Sequence, residues 1–177
     1  MKNKAVFLDR DGVINEVIFR GTDKPIAPWS IEEFRFIKGI KKPLEKLADL
    51  GFLLFIISNQ PDISKGLIDI QTVETMNNTI LSKLPITKII YCPHEDRHNC
   101  SCRKPKPGML ITLSKEYNVN LMKSFLIGDN WKDIEAGKSV GCKSILLNKI
   151  YNKAVKADFY INSLTEALKI IKGTSKN

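Results

Sequence analysis

Polar and apolar positions along the chain fall into short blocks of two kinds. Ala5-Val6-Phe7-Leu8 is apolar throughout, and Phe52 to Ile57 is six apolar residues in a row. Runs of that length without polar alternation predict strands buried on both faces. Between them, Leu44, Leu47, Ala48 and Leu50 recur at helical spacing among Glu45, Lys46 and Asp49. Pro43 suits the first turn of that helix and Gly51 its end. A second helix is expected after Asp69, an N-cap, with Ile70, Val73, Met76, Ile80, Leu81 and Leu84 forming a face assigned to the core. Further strands are expected at 88–91, 124–127, 144–147 and 159–161. Further helices are expected at about 108–117 and 131–140, and from a Ser163-x-x-Glu166 capping box to near Gly173. This alternation predicts an α/β fold, a doubly wound, mainly parallel sheet with helices on both faces. The segment 13–29 carries Gly21, Pro25 and Pro28 and has no clean period. It reads as a loop or short hairpin, either a flap over the mouth of the first strand or a surface connection.

Composition narrows the field. At 177 residues, 43% hydrophobic and 27% charged, the chain fits one globular domain spanning 1–177. No apolar run reaches membrane-spanning length, and the apolar stretch behind the basic start ends at Leu8 in an acid pair. No signal peptide or membrane partner is therefore expected, and the expected compartment is the cytoplasm. The net charge of +9 suits an anionic partner. Its lysines are scattered and lack interleaved aromatics, which argues against nucleic acid, and much of the excess reads as a solvated face.

Three of the four cysteines, Cys92, Cys100 and Cys102, fall within eleven positions beside His94. Three thiols and an imidazole make a full tetrahedral set for Zn²⁺, here expected to be structural and to stiffen the loop 92–107, the alternative being free surface thiols. His98 is close enough to exchange as a ligand, or is plain loop surface. Cys142, at a strand start, is expected to be a small buried apolar residue.

Polar groups also collect at strand ends: Asp9 and Asp11, then Ser58 and Asn59, then Asp129. Arg103 and Lys104 leave the cysteine loop just before a Pro-Gly helix start. Ligands of parallel α/β sheets gather at the carboxyl ends of strands, and right-handed crossovers bring those ends to one edge. Crowded carboxylates need a proton or a cation between them, and Mg²⁺ takes such oxygen ligands. Hydroxyl, amide and ammonium groups facing that ion suit a phosphoryl group, so the chemistry reads as phosphoryl transfer.

Asp9-Arg10-Asp11-Gly12, Ser58-Asn59-Gln60, Lys104 in Cys-Arg-Lys-Pro, and Gly128-Asp129 with Asp133 resemble the four ordered motifs of the haloacid dehalogenase-like phosphatases. The resemblance implies a Rossmann-like fold without a large cap domain and a Mg²⁺-dependent phosphomonoesterase. It implies Asp9 as nucleophile through an aspartyl-phosphate and Asp11 as acid and base. It also implies Mg²⁺ held by the Asp9 side chain, the Asp11 backbone carbonyl and Asp129. Ser58 and Lys104 would hold phosphoryl oxygens. Asp133 would orient a ligand or Lys104 from behind, or be a surface helix acid. The zinc loop narrows the resemblance to the branch of the heptose 1,7-bisphosphate 7-phosphatases and histidinol-phosphate phosphatases. The Cys-Arg-Lys-Pro-Lys-Pro-Gly-Met run and the stretch from Asn59-Gln60 to Gly66 look most like the heptose enzymes. The implied activity is removal of the 7-phosphate of D-glycero-D-manno-heptose 1,7-bisphosphate, with Asn59, Gln60, Arg103 and Asn130 on the substrate. Histidinol phosphate is the alternative substrate, and a non-catalytic zinc-stabilised binding module the alternative of another class. Pro61, Asp62, Lys65 and Asn130 depart from the heptose pattern, which bears on the substrate and not on the reaction. Without a large cap, a monomer is the simplest expectation.

Overall fold

A computed structural model describes residues 2–152 and 155–174. Six parallel strands form one sheet in the order β3-β2-β1-β4-β5-β6: β1 Lys4–Leu8, β2 Phe52–Asn59, β3 Lys88–Cys92, β4 Phe125–Gly128, β5 Lys143–Leu147 and β6 Phe159–Ile161. The helices are α1 Lys41–Asp49, α2 Pro61–Ser64, α3 Ile70–Lys83, α4 Gly108–Glu116, α5 Trp131–Ser139 and α6 Leu164–Thr174. None is long and apolar enough to cross a membrane.

The two faces of the sheet follow from strand alternation. Val6, Leu8, Leu54, Ile56 and Ile127 point to one side and pack with Leu44 and Leu47 of α1, Val73, Met76 and Ile80 of α3, and Leu168 of α6. Ala5, Phe7, Phe55, Ile57 and Leu126 point to the other, against Met109, Leu110 and Leu113 of α4 and Ala136 of α5. The apolar runs Ala5–Leu8 of β1 and Phe52–Ile57 of β2 are therefore unbroken, as expected of a sheet covered on both sides.

Two expectations change. Ile70 and Leu81, assigned to the core, are exposed, while Val73, Met76, Ile80 and Leu84 are buried. The buried stripe of α3 is narrower than its apolar face, and the polar Asn77 is buried within it because Arg10 reaches its side-chain oxygen at 3.3 Å. Ser58 and Asn59, placed at a strand end beyond the apolar run 52–57, are the last two residues of β2, and a short unexpected helix, α2, follows. The segment after β1 is a small hairpin in which Ile18 and Ile26 exchange backbone hydrogen bonds of 2.9 and 3.0 Å. Asp69 caps α3 by accepting from the Thr72 N–H at 2.7 Å. Cys142 is buried, and burial pushes its thiol up to about 12.

Strand register brings the polar ends together. Leu8 pairs with Ile56 on one side and Ile127 on the other. Asp9, Ser58 and Asp129 thus leave neighbouring strands at one level, where the chain order reverses about β1. That reversal opens a crevice at the carboxyl edge of the sheet.

Candidate active site

The crevice is a cleft of about 300 Å³. Asp9, Asp11, Ser58, Asn59, Arg103, Lys104, Asp129, Asn130 and Asp133 line it, together with Val17 and residues 25–27 of the hairpin. Gln60 does not line it.

Lys104 stands at the centre, 3% exposed. Its Nζ lies 2.8 Å from Asp9 Oδ1, 2.6 Å from Asp133 Oδ1 and 2.9 Å from the Ile57 carbonyl. The contacts with Asp9 and the Ile57 carbonyl are hydrogen bonds, and that with Asp133 is an ion pair. Asn59 fixes the backbone from which Lys104 projects: its Nδ2 donates to the Lys104 carbonyl and its Oδ1 accepts from the Lys104 N–H, both at 3.0 Å. Asp133 is 1% exposed, which rules out a surface helix acid. Its Oδ2 accepts from the Asn130 N–H at 3.1 Å, completing a capping box at the start of α5. The Asn130 side-chain oxygen caps the same helix, accepting from the Lys132 N–H at 3.1 Å.

Four side chains that sequence reasoning left out, or placed elsewhere, orient Asp11 and Asp129. Asp11 Oδ1 accepts from Asn15 Nδ2 at 2.9 Å and from Arg10 Nη2 at 3.1 Å, and Oδ2 accepts from Gln60 Nε2 at 2.6 Å. Gln60, expected on the substrate, is 1% exposed and also donates to Ser58 Oγ at 2.8 Å. It sits beneath the site because the chain turns into α2 straight after β2. Arg10 is fully buried. On the other side the Tyr151 hydroxyl donates to Asp129 Oδ2. No motif spacing marks Asn15 or Tyr151. Arg10 and Gln60 lie inside the motifs, but only the fold shows that they face Asp11.

The carboxylates are crowded. Atoms of Asp9, Asp129 and Asp133 lie within 4.8 Å of one another. Burial, then the negative charge of Asp133, pushes Asp129 up to about 7. Burial and the same neighbour hold Asp9 well above the usual carboxylate range, against the pull of Lys104. Burial works against the Lys104 ammonium, but Asp133 and Asp9 outweigh it and raise its pKa. One ammonium is thus too little countercharge for the group, and two carboxylates facing one gap suit a hard divalent cation. The Asp11 carboxylate lines the same cleft but lies outside this group, held by Asn15, Arg10 and Gln60.

Two glycines make the crowding sterically possible. A Cβ on Gly12, whose φ is +87°, would sit 1.9 Å from Asp129 Oδ2. One on Gly128 would sit 2.2 Å from the Asp133 Cβ.

Beside the cleft, Cys92, His94, Cys100 and Cys102 form a second cluster within 4.8 Å. Sulfur–sulfur distances are 3.2, 3.4 and 3.5 Å, and the Cys92 and Cys102 sulfurs each lie 3.6 Å from His94 Nδ1. Tetrahedral Zn²⁺ with thiolates at about 2.3 Å would space its sulfurs by about 3.8 Å, close to what is present. His98 is not part of the cluster, since its Nδ1 accepts from the Glu95 N–H at 2.9 Å. Arg103 leaves this loop with its Nη1 donating to the His94 carbonyl at 3.0 Å.

Comparison with known proteins agrees with the fold. A family model described as HAD-hydrolase-like matches residues 101–167. D-glycero-beta-D-manno-heptose-1,7-bisphosphate 7-phosphatase of Pasteurella multocida is 34% identical, over 96% of this chain and 97% of that protein. The corresponding Helicobacter pylori (strain J99) protein is 38% identical over 82% of this chain and 83% of that one. The chain belongs to the haloacid dehalogenase-like phosphatases. Within them it falls in the branch whose curated members are named heptose-bisphosphate 7-phosphatases, of the beta anomer in Pasteurella and the alpha anomer in Campylobacter jejuni, the latter also 34% identical. Among solved structures, D,D-heptose 1,7-bisphosphate phosphatase from B. bronchiseptica, complexed with magnesium and phosphate, has a TM-score of 0.82 at 23% identity. It covers 97% of this chain and 99% of that one, a likeness of fold.

Proposed function

We propose that the chain hydrolyses the 7-phosphate of D-glycero-D-manno-heptose 1,7-bisphosphate through an aspartyl-phosphate on Asp9. The observation that carries this reading is the buried Lys104 ammonium, 2.8 Å from Asp9 and 2.6 Å from Asp133, at the floor of an open cleft. Asp9 Oδ1 accepts from Lys104 and, at 2.7 Å, from the Arg10 N–H, which fixes the carboxylate and leaves Oδ2 to attack phosphorus. As the bond from phosphorus to the sugar oxygen breaks, Asp11 gives that oxygen a proton. Water then attacks the Asp9 phosphate, Asp11 takes a proton from it, and inorganic phosphate leaves. Ser58 and Lys104 hold the phosphoryl oxygens, while Arg10, Asn15 and Gln60 keep Asp11 aimed.

Asp9, Asp129 and the Asp11 carbonyl would hold Mg²⁺. When bound, the ion supplies charge neutralisation for carboxylates and phosphate together. Cys92, His94, Cys100 and Cys102 would hold structural Zn²⁺, which fixes the loop bearing Arg103 and Lys104. Names of the relatives at 34–38% identity support the heptose substrate over histidinol phosphate and over a non-catalytic module.

The test is phosphate release with Mg²⁺ from both anomers of the heptose bisphosphate and from histidinol phosphate. The expected result is preferred hydrolysis of one heptose anomer. Faster release from histidinol phosphate overturns the assignment.

A further inference from the structure

The turn after β5 is tied down more tightly than a surface connection requires. Asn152 is 8% exposed, and its Nδ2 donates to the Leu147 carbonyl at 2.6 Å and to the Asp129 carbonyl at 3.0 Å. Its Oδ1 accepts from the Lys149 N–H at 3.0 Å, and its own N–H donates to the Lys149 carbonyl at 3.3 Å. One residue therefore closes the turn on itself and pins it to the chain just past β4. The side chain this holds in place is Tyr151, whose hydroxyl donates to Asp129 Oδ2. That hydroxyl oxygen also lies 2.9 Å from where a Gly12 Cβ would stand. It is thus seated between Asp129 and the backbone that follows Asp11.

Tyr151 has a second neighbour. The ring of Phe19, in the hairpin after β1, lies 6.1 Å from the Tyr151 ring, with the planes inclined at 59°. Phe19 is 47% exposed, so this contact is not a by-product of core packing. Tyr151 and Val17 line both the cleft and the groove beside it, and so form the wall between the two. The four ordered motifs contain neither aromatic residue.

We propose that Tyr151 is a positioning residue for the metal ligand Asp129, and that Phe19 braces it, so that this aromatic pair sets the affinity for Mg²⁺. The inference rests on the assignment of Asp129 to Mg²⁺ above. With Oδ2 held by the hydroxyl, the other carboxylate oxygen is left for the ion, and the group is oriented before the ion arrives. A side chain fixed in advance loses less rotational freedom on binding. Because Phe19 belongs to the hairpin, the brace works in both directions: what Phe19 adds to Mg²⁺ affinity, Mg²⁺ adds to the stability of the hairpin contact.

The experiment titrates Mg²⁺ alone, without substrate, into full-length wild type, Tyr151→Phe, Phe19→Ala and Asp129→Asn, read by calorimetry. Amide exchange at Ile18 and Ile26, whose mutual backbone bonds close the hairpin, is followed with and without Mg²⁺. Tyr151→Phe keeps the ring and loses only the hydroxyl, and it should weaken Mg²⁺ binding about tenfold, as expected for a group that orients a metal ligand. Phe19→Ala keeps the hydroxyl and should weaken binding about threefold, the size of one aromatic contact. Mg²⁺ should slow exchange at Ile18 and Ile26 about threefold in wild type and leave it unchanged in Phe19→Ala. Affinity of Tyr151→Phe within about twofold of wild type overturns the positioning role. Hairpin exchange in wild type that ignores Mg²⁺ overturns the brace. Asp129→Asn should bind no Mg²⁺ in this range. If it binds the ion as tightly as wild type, or wild type binds none, the metal assignment has failed and the inference falls with it.

Discussion

Replacing Asp129 by Asn should stabilise the Mg²⁺-free protein, and by more as pH rises. Asp129 is 4% exposed, and burial with the adjacent Asp133 pushes it up to about 7 from an ordinary value of 3.8. A carboxyl that holds its proton more tightly folded than unfolded contributes stability fully below the unfolded value. That contribution is lost as pH climbs to the folded value. The slope is ~1.4 kcal/mol per pH unit across the window from 3.8 to about 7. Between pH 5 and pH 8 wild type should therefore lose about 3 kcal/mol that the variant, with an uncharged amide in place of the carboxyl, does not lose. For a chain of this size that is a relative Tm change of about 6–12 °C. The assay is urea unfolding of both proteins after dialysis into Mg²⁺-free buffer, with their difference taken at each pH. Taking the difference removes the other titrations, such as Asp69 and Asp158, whose lowered values act in the opposite sense. Added Mg²⁺ should close the gap by stabilising wild type alone. A difference that stays constant from pH 5 to pH 8 would refute the electrostatic argument for a cation at this site.

Two further substitutions test the supporting residues. Gln60→Leu removes the 2.6 Å donor to Asp11 and should lower kcat by about 10²-fold with little change in KM, which steady-state kinetics reads directly. Cys100→Ser should release one equivalent of zinc and lower stability and activity together, since the cluster fixes the loop carrying Lys104. Metal analysis, thermal melts and turnover on one preparation check this, and wild-type turnover in a folded, zinc-free sample contradicts it.

How much could be read from the residues depended on whether the cause was local. β1 and β2 declare themselves because strands buried on both faces need unbroken apolar runs, and Asp69 because an N-cap acts within three residues. The cysteine cluster was legible for the same reason, as its four donors come from one loop. The strand-end groups were found through motif order, and register then explains why they meet. What stayed hidden is tertiary. Arg10 looks like a surface residue between two acids, yet the fold buries it fully against Asp11 and Asn77. Tyr151 lies in the loop after β5 with nothing local to mark it, and only the return of that loop over the sheet edge brings it to Asp129. Ile70 and Leu81 were misplaced because periodicity gives a face but not how much of it a neighbour covers.

The central claim is that Asp9 carries the phosphoryl group between the two half-reactions. Rapid acid quench during turnover, reduction of any acyl phosphate with borohydride and mass mapping of the peptides addresses it directly. The expected result is homoserine at position 9 in wild type, with no such product and no turnover in Asp9→Asn. Turnover without modification at position 9, or activity surviving in Asp9→Asn, would contradict the account.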